Sequence, residues 1–350
     1  MSHRFGLSTF VSSLLLLTAA PAQELQAGAA APAFALSQMV RGAAVTELSK
    51  GVVHLVEFWG TGPGMGFDRD REFARLAKSY GPKLRLIGVV APSDEDDYDF
   101  EVVADYYAEH GEHLSFTIGF DGDGKLHEAW AKAAGNEPPA LFLVDEKGRI
   151  AWIGGLGFLP LVLPKVMAGD CDPTALAEDT AAAQKQMLRL VMTASLKPAG
   201  AMAEMDKMVK QWPLLETMAV TTAWSSLLDS DEPKLAIPLE KRVCDVATKD
   251  QDSSTLNWLA WTIVDPAVER AERDTATAER AAKQAVALTQ EKDPSLLDTL
   301  ARVYFWTKDY KQAVAWQKKA VAALGEEDEG RDGLEATLKE YEQLAGEAGK

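Results

Sequence analysis

The sequence predicts an α/β domain, a mixed sheet with helices on both faces, followed by an all-α domain. Three observations carry this. Between Val52 and Gly169, short apolar runs alternate with segments of helical period. Two late runs, ALFLVD and RIAWIGG, are joined only by EKG and read as a hairpin. From about Thr174 the strand-like runs stop, and alanine-rich, helix-period sequence continues from there. Parallel crossovers followed by an antiparallel hairpin make a mixed sheet that both faces need helices to cover.

The elements follow in order. Residues 1–22 read as a secretory signal peptide: basic MSHR, apolar FGLSTFVSSLLLL, and Ala20-Pro21-Ala22 as an A-x-A site with cleavage after Ala22. The apolar run is too short for a span of about 20 residues. The mature chain is therefore expected to be exported, periplasmic or secreted, soluble, and not inserted in a membrane. APAFALS reads as a short strand or arm. VVHLVEFW is a near-continuous apolar run, which suits a buried central strand. The segment 67–80 is an amphipathic helix, and KLRLIGVV (83–90) a second buried strand. SDEDDYDF opens a helix with Ser93 as N-cap, ending near His110 before Gly111. LSFTIGF is a strand, DGDG (121–124) a turn, KLHEAWAKAAG a short helix, and FLPLVLPKVMAG the helix that closes the domain. The expected organisation is a signal peptide (1–22), an α/β domain (23–172), an irregular helical region (173–248) and helical repeats (249–350). Helices are expected near 176–196, 200–211, 214–228 and 233–248.

Between the first strand and its helix stands FWGTGPGMG, Phe58 to Gly66. Together with EPPALFLVD and DEKGRIAW it makes residues 28–170 resemble the thioredoxin-fold redoxin family, which spans TlpA-type thiol oxidoreductases and the alkyl hydroperoxide reductase/thiol-specific antioxidant group. That family reads V-x-F-W-A-T-W-C-G-P-C where this chain reads VEFWGTGPGMG. Phe58, Trp59, Thr61 and Gly64 keep their places. Pro63 and Gly66 stand where the two cysteines would be, Gly62 replaces a tryptophan, and Met65 a proline. In EPPALFLVD the resemblance puts Pro139 at the family's cis-proline place. It implies a thioredoxin-like fold and a face that grips extended peptide, formed by Trp59, Thr61, Met65, Pro138 and Pro139.

Thiol–disulfide exchange needs a thiolate and, in a dithiol enzyme, a second cysteine to resolve the mixed disulfide. Neither Pro63 nor Gly66 can serve. No catalytic residue is expected in the loop. The glycines at 60, 62, 64 and 66 match neither the dinucleotide pattern nor the P-loop, and Asp68 and Asp70 would repel an anion. His110 and His113 have no third ligand, and the acidic run Asp94–Asp97 lacks the EF-hand spacing. No metal and no cofactor are expected. The only cysteines, Cys171 and Cys244, form a possible disulfide, with two free buried thiols as the alternative.

The C-terminal stretch has tetratricopeptide-like spacing. In SLLDTLARVYFWTKDYKQAVAWQKKAVAAL, the residues Leu300, Ala301, Tyr304, Ala313 and Ala320 take the small and aromatic positions, and Gln317 stands where an aromatic is usual. In an earlier copy Ala260, Ala278 and Ala285 match Ala301, Ala313 and Ala320, with DPAVERAERD stretching the repeat to 41 residues.

A formal net charge of −17 repels nucleic acid, and no basic stripe is present. The expected partner is a protein or extended peptide, not nucleic acid. The function expected is a non-catalytic binding or scaffold module. The alternatives are a thiol-disulfide oxidoreductase or peroxidase acting through Cys171 or Cys244, and a structural subunit of an envelope complex.

Overall fold

A computed structural model describes residues 24–59, 67–91, 99–110, 114, 116–135, 140–266, 273–325 and 330–348. The chain divides into two compact units, Met1–Met65 with Phe73–Ile153, and Gly66–Glu72 with Gly154–Lys350. Among the described residues no helix is long and apolar enough to cross a membrane.

The first unit is built on a six-stranded sheet of β1 (Gln38–Arg41), β2 (Val53–Trp59), β3 (Leu84–Val90), β4 (Thr117–Phe120), β5 (Ala140–Val144) and β6 (Ile150–Gly154), in the order β1-β4-β3-β2-β5-β6. β2, β3 and β4 are parallel, while β1 runs antiparallel to β4 and β5 antiparallel to β2. With the helices α1 (Phe67–Tyr80), α2 (Phe100–His110) and α3 (Lys125–Ala129) between strands, this is a thioredoxin-like fold. The expected α/β class and the all-helical continuation are both present.

Physical causes are readable strand by strand. All seven residues of β2 are buried, as its near-continuous apolar run requires of a central strand. Even-numbered positions of β2 face one side of the sheet, where Val56 and Phe58 join a core with Phe34, Trp130 and Phe142. These rings meet edge to face: Trp130 and Phe142 lie 5.4 Å apart at 88°, and Phe58 and Phe142 5.7 Å apart at 82°. The Trp130 indole N–H donates to the Ala33 carbonyl at 3.4 Å, tying in the N-terminal arm. That arm also bonds beside β6, through Gly28 N–H to Ile150 O at 2.7 Å and Ala31 N–H to Gly148 O at 2.9 Å. The β5–β6 turn closes on Asp145, whose carboxylate accepts from the Lys147 and Arg149 backbone and pairs with the Arg149 guanidinium at 2.8 Å.

The structure adds detail at two places. β1 lies at Gln38–Arg41, just past APAFALS, whose Leu36 makes only an isolated bridge to Val45. The described start of α2 is at Phe100, where the Asp99 carboxylate accepts from the N–H groups of Glu101 at 3.0 Å and Val102 at 3.1 Å. Asp99 is the capping residue there; Ser93 lies outside the described residues.

The second unit holds α4 (Leu159–Met167), α5 (Pro173–Leu196), α6 (Ala201–Gln211), α7 (Glu216–Leu228), α8 (Glu240–Lys249), α9 (Ser253–Val264), α10 (Thr275–Leu288), α11 (Pro294–Trp306), α12 (Tyr310–Ala322) and α13 (Arg331–Ala348). From α5 onward each helix packs on its successor. The segment expected as one helix over 233–248 is a 3₁₀ stretch, Pro233–Leu239, then α8, because Pro238 has no N–H for an α-helical ladder. Five of these helices start on an aspartate whose carboxylate accepts backbone N–H groups: Asp172, Asp252, Asp274, Asp293 and Asp309. Part of the protein's acidity is thus committed to helix starts, where it also meets the positive end of the dipole.

Helix α9 ends under two donors from later in the chain. Arg273 Nη1 donates to Ile263 O and Trp306 Nε1 to Val264 O, both at 2.6 Å, with the guanidinium 4.2 Å from the Trp306 ring. Ala260, Ala278, Ala285, Ala301, Ala313 and Ala320 are all fully buried, so their small size sets how closely these helices approach. Gln317 is buried too. Its amide donates to Asp298 Oδ1 at 2.8 Å and to Leu334 O at 3.2 Å, so a polar side chain joins α11, α12 and α13 where an aromatic is usual.

Candidate functional site

The parallel strands β2, β3 and β4 end side by side, and β5 begins beside them. Trp59 pairs with Val90, Val90 with Phe120, and Phe58 with Ala140. The row is continued by Ala91 N–H to Trp59 O at 3.0 Å and Asp121 N–H to Val90 O at 2.9 Å. In α/β sheets the carboxyl ends of parallel strands are where loops build binding sites. The residues of FWGTGPGMG after Trp59 and the prolines before Ala140 are therefore attached to adjacent strand ends. Thr61, Pro63, Met65, Gly66, Pro138 and Pro139 themselves lie outside the described residues.

Trp59 is the member of the expected site that the structure describes. It is only 3% exposed. Its ring lies back over β3 at Gly88: a Cβ built on Gly88 would fall 2.9 Å from Cζ2, 2.5 Å from Cζ3 and closer still to Cη2. Gly88 is thus required for Trp59 to pack flat on its neighbour strand. Trp59, one of the residues expected to face peptide, is thus buried against β3.

On the same sheet face, Glu57 pairs laterally with Gly88 on one side and Leu141 on the other, and it is buried. A carboxylate inside a strand whose other odd-numbered members are Val53, Leu55 and Trp59 is a polar group that the sequence reading passed over. The signal was available, because a charged residue in a run such as VVHLVEFW costs folding energy unless it has a use or a partner. His54, on the opposite face of β2, is likewise buried. Burial drives its pKa below the ordinary histidine value, the Val52 backbone hydrogen bond opposes this, and the Arg85 charge adds to it.

Asp121 belongs to the fold. Its buried carboxylate accepts from the N–H groups of Leu126 at 3.2 Å and His127 at 2.7 Å, while Gly124 N–H returns to Asp121 O at 2.9 Å. The DGDG turn is present, and its first aspartate holds the start of α3.

Both cysteines lie in the helical unit and both are thiols, so the possible Cys171–Cys244 disulfide is not formed. Cys244 is enclosed in α8, whereas Cys171 is half-buried in the loop before α5. Burial pushes the Cys244 thiol above its ordinary pKa, and the Arg280 guanidinium only partly opposes this. The end of β2 therefore combines a buried aromatic ring and a buried carboxylate, with no cysteine anywhere in residues 24–153.

A curated relative, protein FixW from Rhizobium leguminosarum, is 30% identical over 154 residues, which are 43% of this chain and 69% of the relative. The chain belongs to the FixW family. No family profile matches it. Solved structures similar to this chain include the pneumococcal exposed lipoprotein thioredoxin of Streptococcus pneumoniae, at 17% identity over 39% of this chain and 98% of the other, with a TM-score of 0.33. A conserved protein of Geobacillus kaustophilus is similar at 19% identity over 41% of this chain and 84% of the other, with a TM-score of 0.35. The helical unit sets this member of the FixW family apart from a single α/β domain.

Proposed function

We propose that this protein is an exported, non-catalytic binding module. Its thioredoxin-like unit has lost the thiols of its active loop, and its helical unit, with tetratricopeptide-like repeats, offers a surface to a partner protein. The observation that carries this reading is the placement of the two cysteines. Neither lies in the loop of VEFWGTGPGMG, and both lie in the helical unit. A dithiol cycle needs an accessible thiolate and a resolving thiol beside it. Cys244 meets neither need, being enclosed and raised in pKa by burial. What remains at the strand ends is a thiol-free segment attached to β2 beside the buried Trp59, and a site without thiols suits binding and release.

The rival reading, a thiol-disulfide oxidoreductase, rests on Cys171, which is half-buried. A turbidity assay of insulin reduction by dithiothreitol separates the two. The wild-type chain should match the rate without protein, while a chain carrying Pro63→Cys and Gly66→Cys should accelerate it. Acceleration by the wild-type chain that Cys171→Ser abolishes would establish the oxidoreductase instead.

A further inference from the structure

Helix α5 turns three large apolar side chains to solvent at four-residue intervals: Leu188 is 59% exposed, Met192 51% and Leu196 74%. This spacing lines them on one face over roughly 12 Å of helix. The residues that hold α5 to the rest of the unit, Ala183, Leu190 and Ala194, face the other way and are fully buried. The stripe is thus additional to what folding uses. It also carries an unusual charge for this chain. Exposed Lys185, Arg189 and Lys197 flank it, and no acid occurs between Asp179 and Glu204, in a protein of net charge −17.

These two facts narrow the occupant. Glu204 of α6 lies within electrostatic reach of Arg189; a second copy of α5 laid along the stripe would still set Lys185 and Lys197 against like charges, which costs binding energy. A membrane surface needs an apolar face about 100° wide, and the stripe is a single row. A single row of Leu, Met and Leu at i, i+4 and i+8 fits between the side-chain rows of another helix. The adaptable methionine at its centre suits such packing. We propose that this stripe of α5 docks an amphipathic helix of a partner protein, with aliphatic side chains in one row and acidic residues beside them. The inference rests on the reading of the chain as a binding module and supplies the class of its partner.

The test is fluorescence anisotropy with the full chain and a labelled synthetic helical peptide of about 18 residues, long enough to hold a helix, bearing leucines at four-residue spacing flanked by glutamates. A second peptide has lysines in place of the glutamates. The acidic peptide should bind about tenfold more tightly than the basic one, and its affinity should fall with added salt. Met192→Glu should weaken the acidic peptide about tenfold by removing a buried apolar contact, and Arg189→Glu should narrow the gap between peptides. Both sites are exposed, so circular dichroism should be unchanged. Equal affinity for both peptides, binding indifferent to Met192→Glu, or no binding would overturn the proposal. So would Met192-dependent sedimentation with phosphatidylglycerol vesicles, or a Met192-dependent dimer in sedimentation velocity. Those outcomes leave the non-catalytic reading standing, because it fails only when the wild-type chain accelerates insulin reduction.

Discussion

Replacing Gly88 with alanine tests the packing of Trp59 on β3. Two effects oppose each other. Alanine in a strand interior gains about 0.5–1 kcal/mol over glycine, because glycine loses more backbone freedom on folding. Against this, the new methyl would sit 2.5 Å from Cζ3 and 2.9 Å from Cζ2 of Trp59, where ordinary contact begins well beyond 3 Å. The ring is buried against β3, so it cannot swing clear without a shift of its surroundings. Overpacking of this kind costs roughly 1–3 kcal/mol, so the clash wins and Gly88→Ala should destabilise by about 1–2 kcal/mol net. A double-mutant cycle in urea isolates the cause. With Trp59→Leu the far ring atoms are gone, and Gly88→Ala should become neutral or slightly stabilising. The coupling between the two sites should then exceed about 1 kcal/mol. An equal loss from Gly88→Ala in both backgrounds would refute the packing of the Trp59 ring on Gly88 as its cause.

Other outcomes are expected in the helical unit, each measurable by urea unfolding followed by far-ultraviolet circular dichroism. Lys308 sits at φ 61° in the turn from α11 to α12, where Asp309 N–H reaches back to Tyr304 O at 3.0 Å; Lys308→Gly should stabilise by about 1 kcal/mol, since only glycine enters this region without steric cost. Asp274→Ala should cost about 1 kcal/mol at pH 7 by removing the cap of α10. Burial pushes the Asp274 carboxyl up, but hydrogen bonds from Thr277 and Ala276 outweigh it and hold the pKa below the ordinary value. Its contribution is therefore complete above about pH 4 and fades as pH falls further, so the variant's deficit should shrink there. Asp298 runs the other way: burial raises its pKa, with the Gln317 hydrogen bond and Arg302 opposing. Asp298→Asn keeps an oxygen for Gln317 and removes the charge; it should gain about 1 kcal/mol at pH 7, a gain that vanishes below about pH 4 as the wild-type carboxyl is protonated in both states.

The central strands were legible because burial on both faces demands unbroken apolar runs, and β2, β3 and β5 have them. β1 escaped notice because QMVR is an edge strand with no buried residue, so nothing in its pattern required a sheet. Gly88 is visible in KLRLIGVV as a glycine out of place in a strand, but that Trp59 fills the space above it depends on the parallel register. Asp99 is one of several acids in SDEDDYDF, and only its hydrogen bonds to Glu101 and Val102 single it out at the described start of α2. The buried cluster around Gln317 shows the same limit. A glutamine at an aromatic position is plain in sequence, whereas its partners Asp298 and Leu334 come from neighbouring helices. The exposed stripe of α5 was hidden for a related reason. Its leucines and methionine look like core residues until the packing of Leu190 and Ala194 shows which way the helix faces.

The enclosure of Cys244 also governs how this protein ages in an oxidising environment. One sulfur is sealed within α8 and the other lies in the loop before α5, so the folded chain cannot close a bond upon itself. Oxidants that reach Cys171 can leave a sulfenic acid or join two molecules through it, and neither change touches the interior. A protein that trades disulfides must restore its thiols after every turnover. In this chain the enclosed thiol comes within reach of an oxidant only when the helices around Cys244 open.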